Sequence, residues 1–343
     1  MSEKISFLDL ILASFFNYKN DSLKDVLKME NDFKSIGEKY LKYLSFNYID
    51  RISKIKEGIE FNEKFLLSIV DKYSSNYNKN NNKLLTRPGE ISKLRSTLKL
   101  FIRDWTIEGK KERDLTYIPI IEEIRNFFPQ NKNKKILVPG AGLCRLAYEI
   151  AKLGFNIDAI EVSYYMIICS DFIFNSNIKI NKFKIEPLIH SFNCLKTEDS
   201  PFQIFNFPDE NIYETMNDIN FGKINIVPGD FVQSYKNKNN LYDGVVTSFF
   251  IDTTNNIIEF IEIIYNILNK DGIWINVGPL LYHFHEIQNE INIELSWEEL
   301  RKIIIKFGFE IKNEKMIDST YSSIEDRLKS TIYTCIFFTA IKK

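Results

Sequence analysis

Apolar and polar residues follow two different patterns along the chain. From Ile5 to about Val70 the apolar residues recur every three or four positions, as in "YLKYLSFNYIDRISKI", which predicts a series of amphipathic helices. The Asn-rich stretch near 74–83 interrupts this pattern and is predicted to be an exposed loop. The helical pattern then resumes with "EISKLRSTLKLFIRDW". We therefore expect an N-terminal helical region over residues 1–115.

From Lys134 onward, short apolar runs alternate with helical stretches. The predicted strands are "KKILVPG", "FNIDAIEVS", "INIVPGDF", "LYDGVVTSFF", "GIWINVGP", "FEIKNEKMID" and "STIYTCIFFTAIKK". Strands that are regularly separated by helices indicate a mostly parallel, doubly wound α/β sheet, and the last two strands could pair as a hairpin. We expect this domain to span residues 116–343. The stretch near 183–222 is longer than an ordinary connection, which predicts a lid or an insertion on the substrate side.

A glycine-rich turn after the first predicted strand indicates a nucleoside-binding site. Gly140 and Gly142 allow a tight turn and a close approach of a ligand to the backbone, because neither has a Cβ. Glu161 ends the second strand and can accept hydrogen bonds from ribose hydroxyls. The dinucleotide fingerprint would place a third glycine where this chain has Arg145. The spacing therefore favours S-adenosylmethionine over a nicotinamide or flavin.

The segment "PGDF" adds two candidate cofactor residues. Asp230 could accept a hydrogen bond from an adenine amino group, and Phe231 could cover the face of the ring. Two other interpretations stay open from these residues alone: a dinucleotide site, and a glycine turn in a Rossmann-like domain that binds no nucleotide.

Composition narrows the range of partners. The chain has 45 basic and 46 acidic side chains, so its net charge provides no general attraction for nucleic acid or an anionic membrane. The start, "MSEKISFLDLILASFF", predicts an amphipathic helix rather than a signal peptide. The four cysteines are isolated, without the spacing of a zinc site or a disulfide framework, and no metal is expected. We expect a reducing compartment, the cytoplasm, with the nucleus as a further location.

Several longer motifs resemble the carnosine N-methyltransferase family. They are "STLKLFIRDWTIEGKKERD", "ILVPGAGLCRLAYEIA", "FPD", "PGDF", "FFIDTTNNIIEFI", "GIWINVGPLLYHF" and "IELSWEEL". The resemblance covers the chain from about Ser96 to the C-terminus. It implies a class I methyltransferase fold: a Rossmann-like, mostly parallel seven-stranded sheet with helices on both faces, plus an N-terminal helical region. It also implies S-adenosyl-L-methionine as cofactor, a small histidine-containing peptide as substrate, and a homodimer.

The same resemblance implies roles for individual residues. Arg103 would bind the methionine carboxylate of the cofactor, while Asp252, His283 and Tyr333 would contact the imidazole peptide, with Tyr321 as a further candidate. Each residue also has an ordinary structural interpretation. Arg103 could be a helix-surface arginine in a salt bridge, and Asp252 could cap the helix that follows it. His283 could be a loop or partly buried histidine, and Tyr333 could belong to the core.

Three positions depart from the family pattern. Leu100 stands where a glutamine is usual, Cys144 replaces a glycine, and His285 stands where an acidic residue is usual. The first two concern cofactor affinity and the third concerns the mouth of the substrate site.

These features predict an N-methyltransferase that acts on the imidazole ring of a histidine-containing dipeptide, as in the conversion of carnosine to anserine. One alternative is a histidine N-methyltransferase that acts on a protein or longer peptide. Another is a non-catalytic, nucleotide-binding interaction protein. Nucleic-acid methylation is disfavoured, since the chain has no "NPPY"-type motif.

Overall fold

A computed structural model describes residues 7–44, 47–73, 86–87, 89–129, 133–287, 289–324 and 327–343. The predicted Asn-rich loop near 74–83 lies outside the described residues. The helices are α1 (Phe7–Phe16), α2 (Tyr18–Lys34), α3 (Glu38–Leu41), α4 (Tyr48–Lys72), α5 (Glu90–Trp105), α6 (Lys110–Phe127), α7 (Arg145–Ala151), α8 (Tyr164–Asn175), α9 (Ile212–Met216), α10 (Phe231–Tyr235), α11 (Ile257–Ile267) and α12 (Trp297–Lys306). The strands are β1 (Lys135–Pro139), β2 (Asn156–Glu161), β3 (Phe183–Ile185), β4 (Phe205–Phe207), β5 (Ile224–Pro228), β6 (Tyr242–Ser248), β7 (Leu268–Gly278), β8 (Phe309–Ser319) and β9 (Tyr333–Lys342).

The chain divides into two compact units. The first comprises Met1–Glu108, Asn175–Glu210 and Ile324–Ser330, and the second comprises Gly109–Phe174, Asn211–Ser323 and Thr331–Lys343. Most of the stretch predicted as an insertion therefore belongs to the first unit.

The first unit is built from helices α1–α5, as the three- and four-residue spacing predicts, and from the short antiparallel pair of β3 and β4. Phe65 of α4 lies 5.0 Å from Phe101 of α5 and 4.9 Å from Phe207 of β4, measured between ring centroids. Phe65 and Phe207 are almost completely buried. Burial of these rings stabilises the packing of two helices against β4.

The second unit contains a seven-stranded sheet in the order β5-β2-β1-β6-β7-β9-β8. Neighbouring strands from β5 to β7 are parallel, while β9 runs antiparallel to both β7 and β8. This confirms the predicted mostly parallel sheet and the antiparallel pairing of the last two strands. The order changes direction next to β1, which is where parallel α/β sheets open a crevice at the carboxyl ends of their strands.

Helices cover both faces of this sheet. Phe338 of β9 packs against Trp274 and against Trp297 of α12, with centroid distances of 4.8 and 5.3 Å. The next residue, Thr339, points to the opposite face and donates a hydrogen bond of 2.8 Å to Glu123 of α6. This alternation along β9 is the period of two expected for a strand buried on both sides.

Two features differ from the expectations drawn from the sequence. Helix α11 begins at Ile257 and is capped by Asn256, whose side-chain oxygen accepts the Glu259 N–H at 3.3 Å. The interpretation of Asp252 as that cap was therefore wrong, because a turn separates it from the helix. Strands β3 and β4 were not predicted. Of the helices that the structure describes, none has the length and apolarity needed to cross a lipid bilayer.

Candidate active site

The loop after β1 requires its glycines. Gly140 and Gly142 adopt φ values of +61° and +56°, in the left-handed region that glycine enters without strain. A Cβ at Gly140 would lie 2.4 Å from Cδ2 of Phe250, so the loop packs directly on that ring. At Gly142, by contrast, no described atom outside residues 141–143 lies within 4 Å of the position a Cβ would take. A ligand can therefore approach the Gly142 backbone from the side on which any other residue would carry its Cβ.

Glu161, at the end of β2, is fixed against this loop. Its Oε2 accepts the Gly142 N–H at 2.8 Å, and its Oε1 accepts the N–H groups of Val162 and Ser163 at 2.9 and 2.8 Å. Burial raises the pKa of this carboxyl, and the three backbone donors partly oppose that rise. Because a carboxylate has roughly four acceptor positions, the carboxylate can still accept a hydrogen bond from a ribose hydroxyl.

The segment after β5 lies beside Glu161. The Gly229 N–H donates to the Glu161 carbonyl oxygen at 2.9 Å, which brings Asp230 to the same edge of the sheet. Asp230 caps α10 by accepting the Gln233 N–H at 2.9 Å through Oδ1. Phe231 is 4% exposed, and its ring centroid lies 5.0 Å from that of Phe260. The contacts of Asp230 and Phe231 with an adenine therefore stay predictions.

Cys144 shows why glycine suits its position in the loop. It adopts φ +61°, and the conformation costs a side chain roughly 1–2 kcal/mol relative to glycine. The Cys144 side chain is fully buried. The loop thus keeps its conformation with cysteine here, at some cost in stability.

The loops after β6 and β7 are joined by Asp252. Its side chain is 2% exposed, and Oδ2 accepts the Leu281 N–H at 2.8 Å. Its carbonyl oxygen accepts the His283 N–H at 3.1 Å. Burial raises the pKa of the Asp252 carboxyl, whereas the Leu281 N–H and the nearby His283 ring favour its charged form. The structure therefore brings together two of the predicted substrate residues, with the His283 side chain exposed.

An aromatic cluster lies at the same end of β6. Phe249 follows the strand with φ +50°, and its ring centroid lies 4.9 Å from that of Tyr321 and 6.0 Å from that of Tyr333. Tyr321 is 42% exposed and Tyr333 is half-buried. The two tyrosines predicted from distant parts of the sequence thus meet at Phe249. Phe249 itself was not predicted, since no local pattern distinguishes it from a core phenylalanine.

The remaining predicted residues have defined surroundings. Arg103 lies in α5 of the first unit, is 8% exposed, and places Nη1 2.7 Å from Oδ1 of Asp104. Arg103 thus forms a salt bridge, but its side chain is buried and not exposed to solvent. Its role toward a cofactor stays a prediction. His285 is exposed, with Nδ1 3.0 Å from Oε1 of Glu294, which raises the pKa of the histidine.

The sheet order, the glycine loop and Glu161 together define a class I S-adenosylmethionine-dependent methyltransferase. The open backbone at Gly142 and the fixed carboxylate beside it fit a nucleoside cofactor that has no pyrophosphate. The sequence profile of the carnosine N-methyltransferase family matches residues 78–343. The protein belongs to the carnosine N-methyltransferase family.

Individual relatives show how much of the chain is similar. A carnosine N-methyltransferase of Mus musculus is 37% identical over 344 residues, covering 97% of this chain and 85% of the relative. One from Dictyostelium discoideum is 36% identical and covers 97% of this chain and 75% of the relative. One from Schizosaccharomyces pombe is 32% identical and covers 96% and 94%. The similarity thus includes the N-terminal helices as well as the methyltransferase unit.

Proposed function

We propose that this protein transfers the methyl group of S-adenosylmethionine to an imidazole nitrogen of a histidine-containing dipeptide such as carnosine. The cofactor supplies a methyl group on a positively charged sulfur. Gly142 and Glu161 would hold its nucleoside part at the carboxyl ends of β1 and β2. The observation that carries the substrate assignment is Asp252, a buried carboxylate held between the loops after β6 and β7.

Imidazole is a suitable nucleophile because it has one nitrogen with a lone pair and one that carries a proton. Its ordinary pKa of ~6.5 leaves much of it neutral near pH 7. The protein must then select the tautomer and orient the ring, which are contributions of positioning. Asp252 would accept a hydrogen bond from the N–H of the ring nitrogen that does not receive the methyl group. It would also stabilise the imidazolium that forms, as a triad aspartate does for its histidine.

The neighbouring side chains would orient the rest of the dipeptide. His283 is exposed and its backbone is tied to Asp252, so its ring can hydrogen-bond the substrate or that carboxylate. Tyr333 and Tyr321 both lie against Phe249 and present hydroxyl groups that can donate to or accept from a peptide. Together these groups would make an aromatic and hydrogen-bonding surface matched to a small peptide.

Mass spectrometry of methyl transfer tests the proposal. Purified protein and S-adenosylmethionine are offered carnosine, related histidine dipeptides and a proteome extract in parallel. Methylated carnosine supports the proposed function. Methylation confined to proteins in the extract would retain the histidine chemistry and replace the substrate, and cofactor binding without any transfer would contradict catalysis.

Two substitutions at Asp252 separate its charge from its structural role. Asp252→Asn retains an oxygen that can accept the Leu281 N–H, whereas Asp252→Ala removes it. We expect turnover to be lost in both variants and cofactor affinity to stay within about twofold, since Asp252 lies outside the cofactor loops. A parallel loss of cofactor binding in the asparagine variant would contradict the assignment.

We also propose that the protein forms a homodimer through its N-terminal helices. Ile36, Tyr43 and Ile49 lie within fourteen residues, from the end of α2 to the first turn of α4, and are 45%, 76% and 77% exposed, so this segment presents several large apolar side chains that a second copy could cover. Analytical ultracentrifugation tests this. We expect a dimer that dissociates on the double substitution Tyr43→Ser and Ile49→Ser, and a monomeric wild-type protein at micromolar concentration would contradict the proposal.

The location that we propose is the cytoplasm, with the nucleus as a further compartment. None of the four cysteines, all of which lie among the described residues, forms a disulfide bond, as is usual for proteins of a reducing compartment. Fractionation of cells that express the tagged protein tests this, and recovery in the secretory pathway would contradict it.

A further inference from the structure

Glu112, in the first turn of α6, binds a short segment near the C-terminus. Its Oε1 accepts the Ser322 N–H at 2.7 Å, and its Oε2 accepts the Ser323 N–H and the Thr320 hydroxyl, each at 2.8 Å. Glu112 is only 9% exposed. Three donors from one four-residue segment therefore converge on one buried carboxylate, and they lie on both sides of Tyr321.

Burial alone does not hold Tyr321. Its side chain is 42% exposed, and its ring rests on Phe249 at a centroid distance of 4.9 Å. Phe249 also contacts Tyr333 and lies three positions before Asp252. A half-exposed ring in a loop samples several positions unless its backbone is fixed. The bonds to Glu112 provide that restraint on the backbone.

We propose that Glu112 is a positioning residue for the substrate: it holds residues 320–323 so that Tyr321 stays against Phe249 and faces the dipeptide. This inference rests on the proposed function. A carboxylate is required because three donors need two acceptor oxygens. Glutamine has one acceptor oxygen, and its amide group would confront at least one N–H or hydroxyl donor. Hydrogen bonds to a charged carboxylate are also stronger than those to an amide.

Glu123 offers a matched control on the same helix. It accepts hydrogen bonds from Asn313 and Thr339, each at 2.8 Å, and so ties α6 to β8 and β9. It lies eleven residues after Glu112, about 16 Å along the helix axis. Glu123→Gln therefore weakens hydrogen bonds to a charged carboxylate on the same helix, because an amide is the weaker partner, without touching the Tyr321 segment.

Steady-state kinetics of Glu112→Gln, Glu123→Gln and the wild type test the inference, with melting temperature measured for each. We expect Glu112→Gln to raise KM for carnosine about tenfold, equivalent to about 1.4 kcal/mol, with the Kd for S-adenosylmethionine unchanged. Glu123→Gln should lower the melting temperature without changing KM. Equal KM values for the two variants would overturn the inference.

Two further measurements identify the mechanism. Hydrogen exchange of the Ser322 and Ser323 amides should accelerate in Glu112→Gln only. In a Tyr321→Ala background, Glu112→Gln should have no additional effect on KM, because both changes remove the same contact; additive effects would contradict a role through Tyr321. An active wild type with an unaffected Glu112→Gln variant overturns this inference alone. A wild type that does not methylate carnosine overturns the proposed function and this inference with it.

Discussion

Alanine at the two loop glycines should have different consequences. At Gly140, alanine has to adopt φ +61°, which costs roughly 1–2 kcal/mol, and its Cβ would lie 2.4 Å from the Phe250 ring. That ring cannot easily move, since it stacks on Phe260 at 5.1 Å and is only 9% exposed. Overpacking of this kind costs about 1–3 kcal/mol. We therefore expect Gly140→Ala to destabilise the ligand-free protein by about 2–5 kcal/mol, the sum of these two costs.

Gly142→Ala is the matched comparison. Its φ of +56° carries the same conformational cost, but no described atom outside residues 141–143 lies within 4 Å of the new Cβ. The expected loss of stability is therefore only about 1–2 kcal/mol. Because the methyl group would project from the open side of the loop, we expect affinity for S-adenosylmethionine to fall at least tenfold.

Urea unfolding of the ligand-free proteins and calorimetric titration with S-adenosylmethionine measure the two effects separately. The reasoning requires Gly140→Ala to be the more destabilised variant, by at least about 1 kcal/mol, which is the smallest overpacking cost. Equal free energies of unfolding would refute the role of the Phe250 contact. Unchanged cofactor affinity in Gly142→Ala would refute the placement of the ligand at this turn.

Three other predictions concern single carboxylates or their partners. Glu161→Gln should raise the Kd for S-adenosylmethionine about tenfold or more, because its amide group would face a backbone N–H donor; calorimetry with an unchanged Kd would remove Glu161 from the site. Glu186 is buried against Gly58, and burial together with the nearby Glu57 carboxyl raises its pKa to about 7. Because the pKa is higher in the folded than in the unfolded protein, ionisation of Glu186 destabilises the fold above pH 7. This destabilisation decreases as the pH falls from 7 toward the unfolded value of 4.5. Glu186→Gln should thus be more stable than the wild type at pH 8, by at most about 3 kcal/mol, with the difference shrinking toward pH 4.5; a difference that does not change with pH in thermal unfolding would contradict this. Tyr242→Phe removes a buried hydroxyl that donates to Asp158 at 2.6 Å, and should cost about 1–3 kcal/mol in urea unfolding without changing cofactor affinity.

Local patterns in the sequence were enough to predict the main elements of the fold. The inner strands of the large sheet, β1, β2, β6, β7 and β9, are largely buried runs rich in apolar residues, and a strand buried on both faces has to be mostly apolar wherever it lies in the chain. The glycines at 140 and 142 and the acid at 161 belong to one strand-turn-helix-strand unit of 26 residues, 136–161, so their meeting follows from local connections. Sequence periodicity also predicted the helices of the first unit.

Other features depend on contacts between distant segments. Strands β3 and β4 have three residues each, too few for a period to show, and they exist because they pair with each other. Asn256 caps α11, while Asp252, four positions earlier, accepts the Leu281 N–H. Which of the two residues caps the helix therefore depends on a hydrogen-bond partner of Asp252 that lies 29 residues away in the sequence.

The sequence by itself determined the class of fold, the nucleoside loop and, through resemblance, the family. Tertiary structure alone decided that Phe249 joins Tyr321 to Tyr333 and that Glu112 binds a segment more than 200 residues away. The physical reason is that burial of one face of a helix or strand requires apolar residues at regular spacing within that element, whereas a hydrogen bond between remote residues requires no local pattern. Only the assembled sheet and its helices bring the two ends of such a bond within reach of each other.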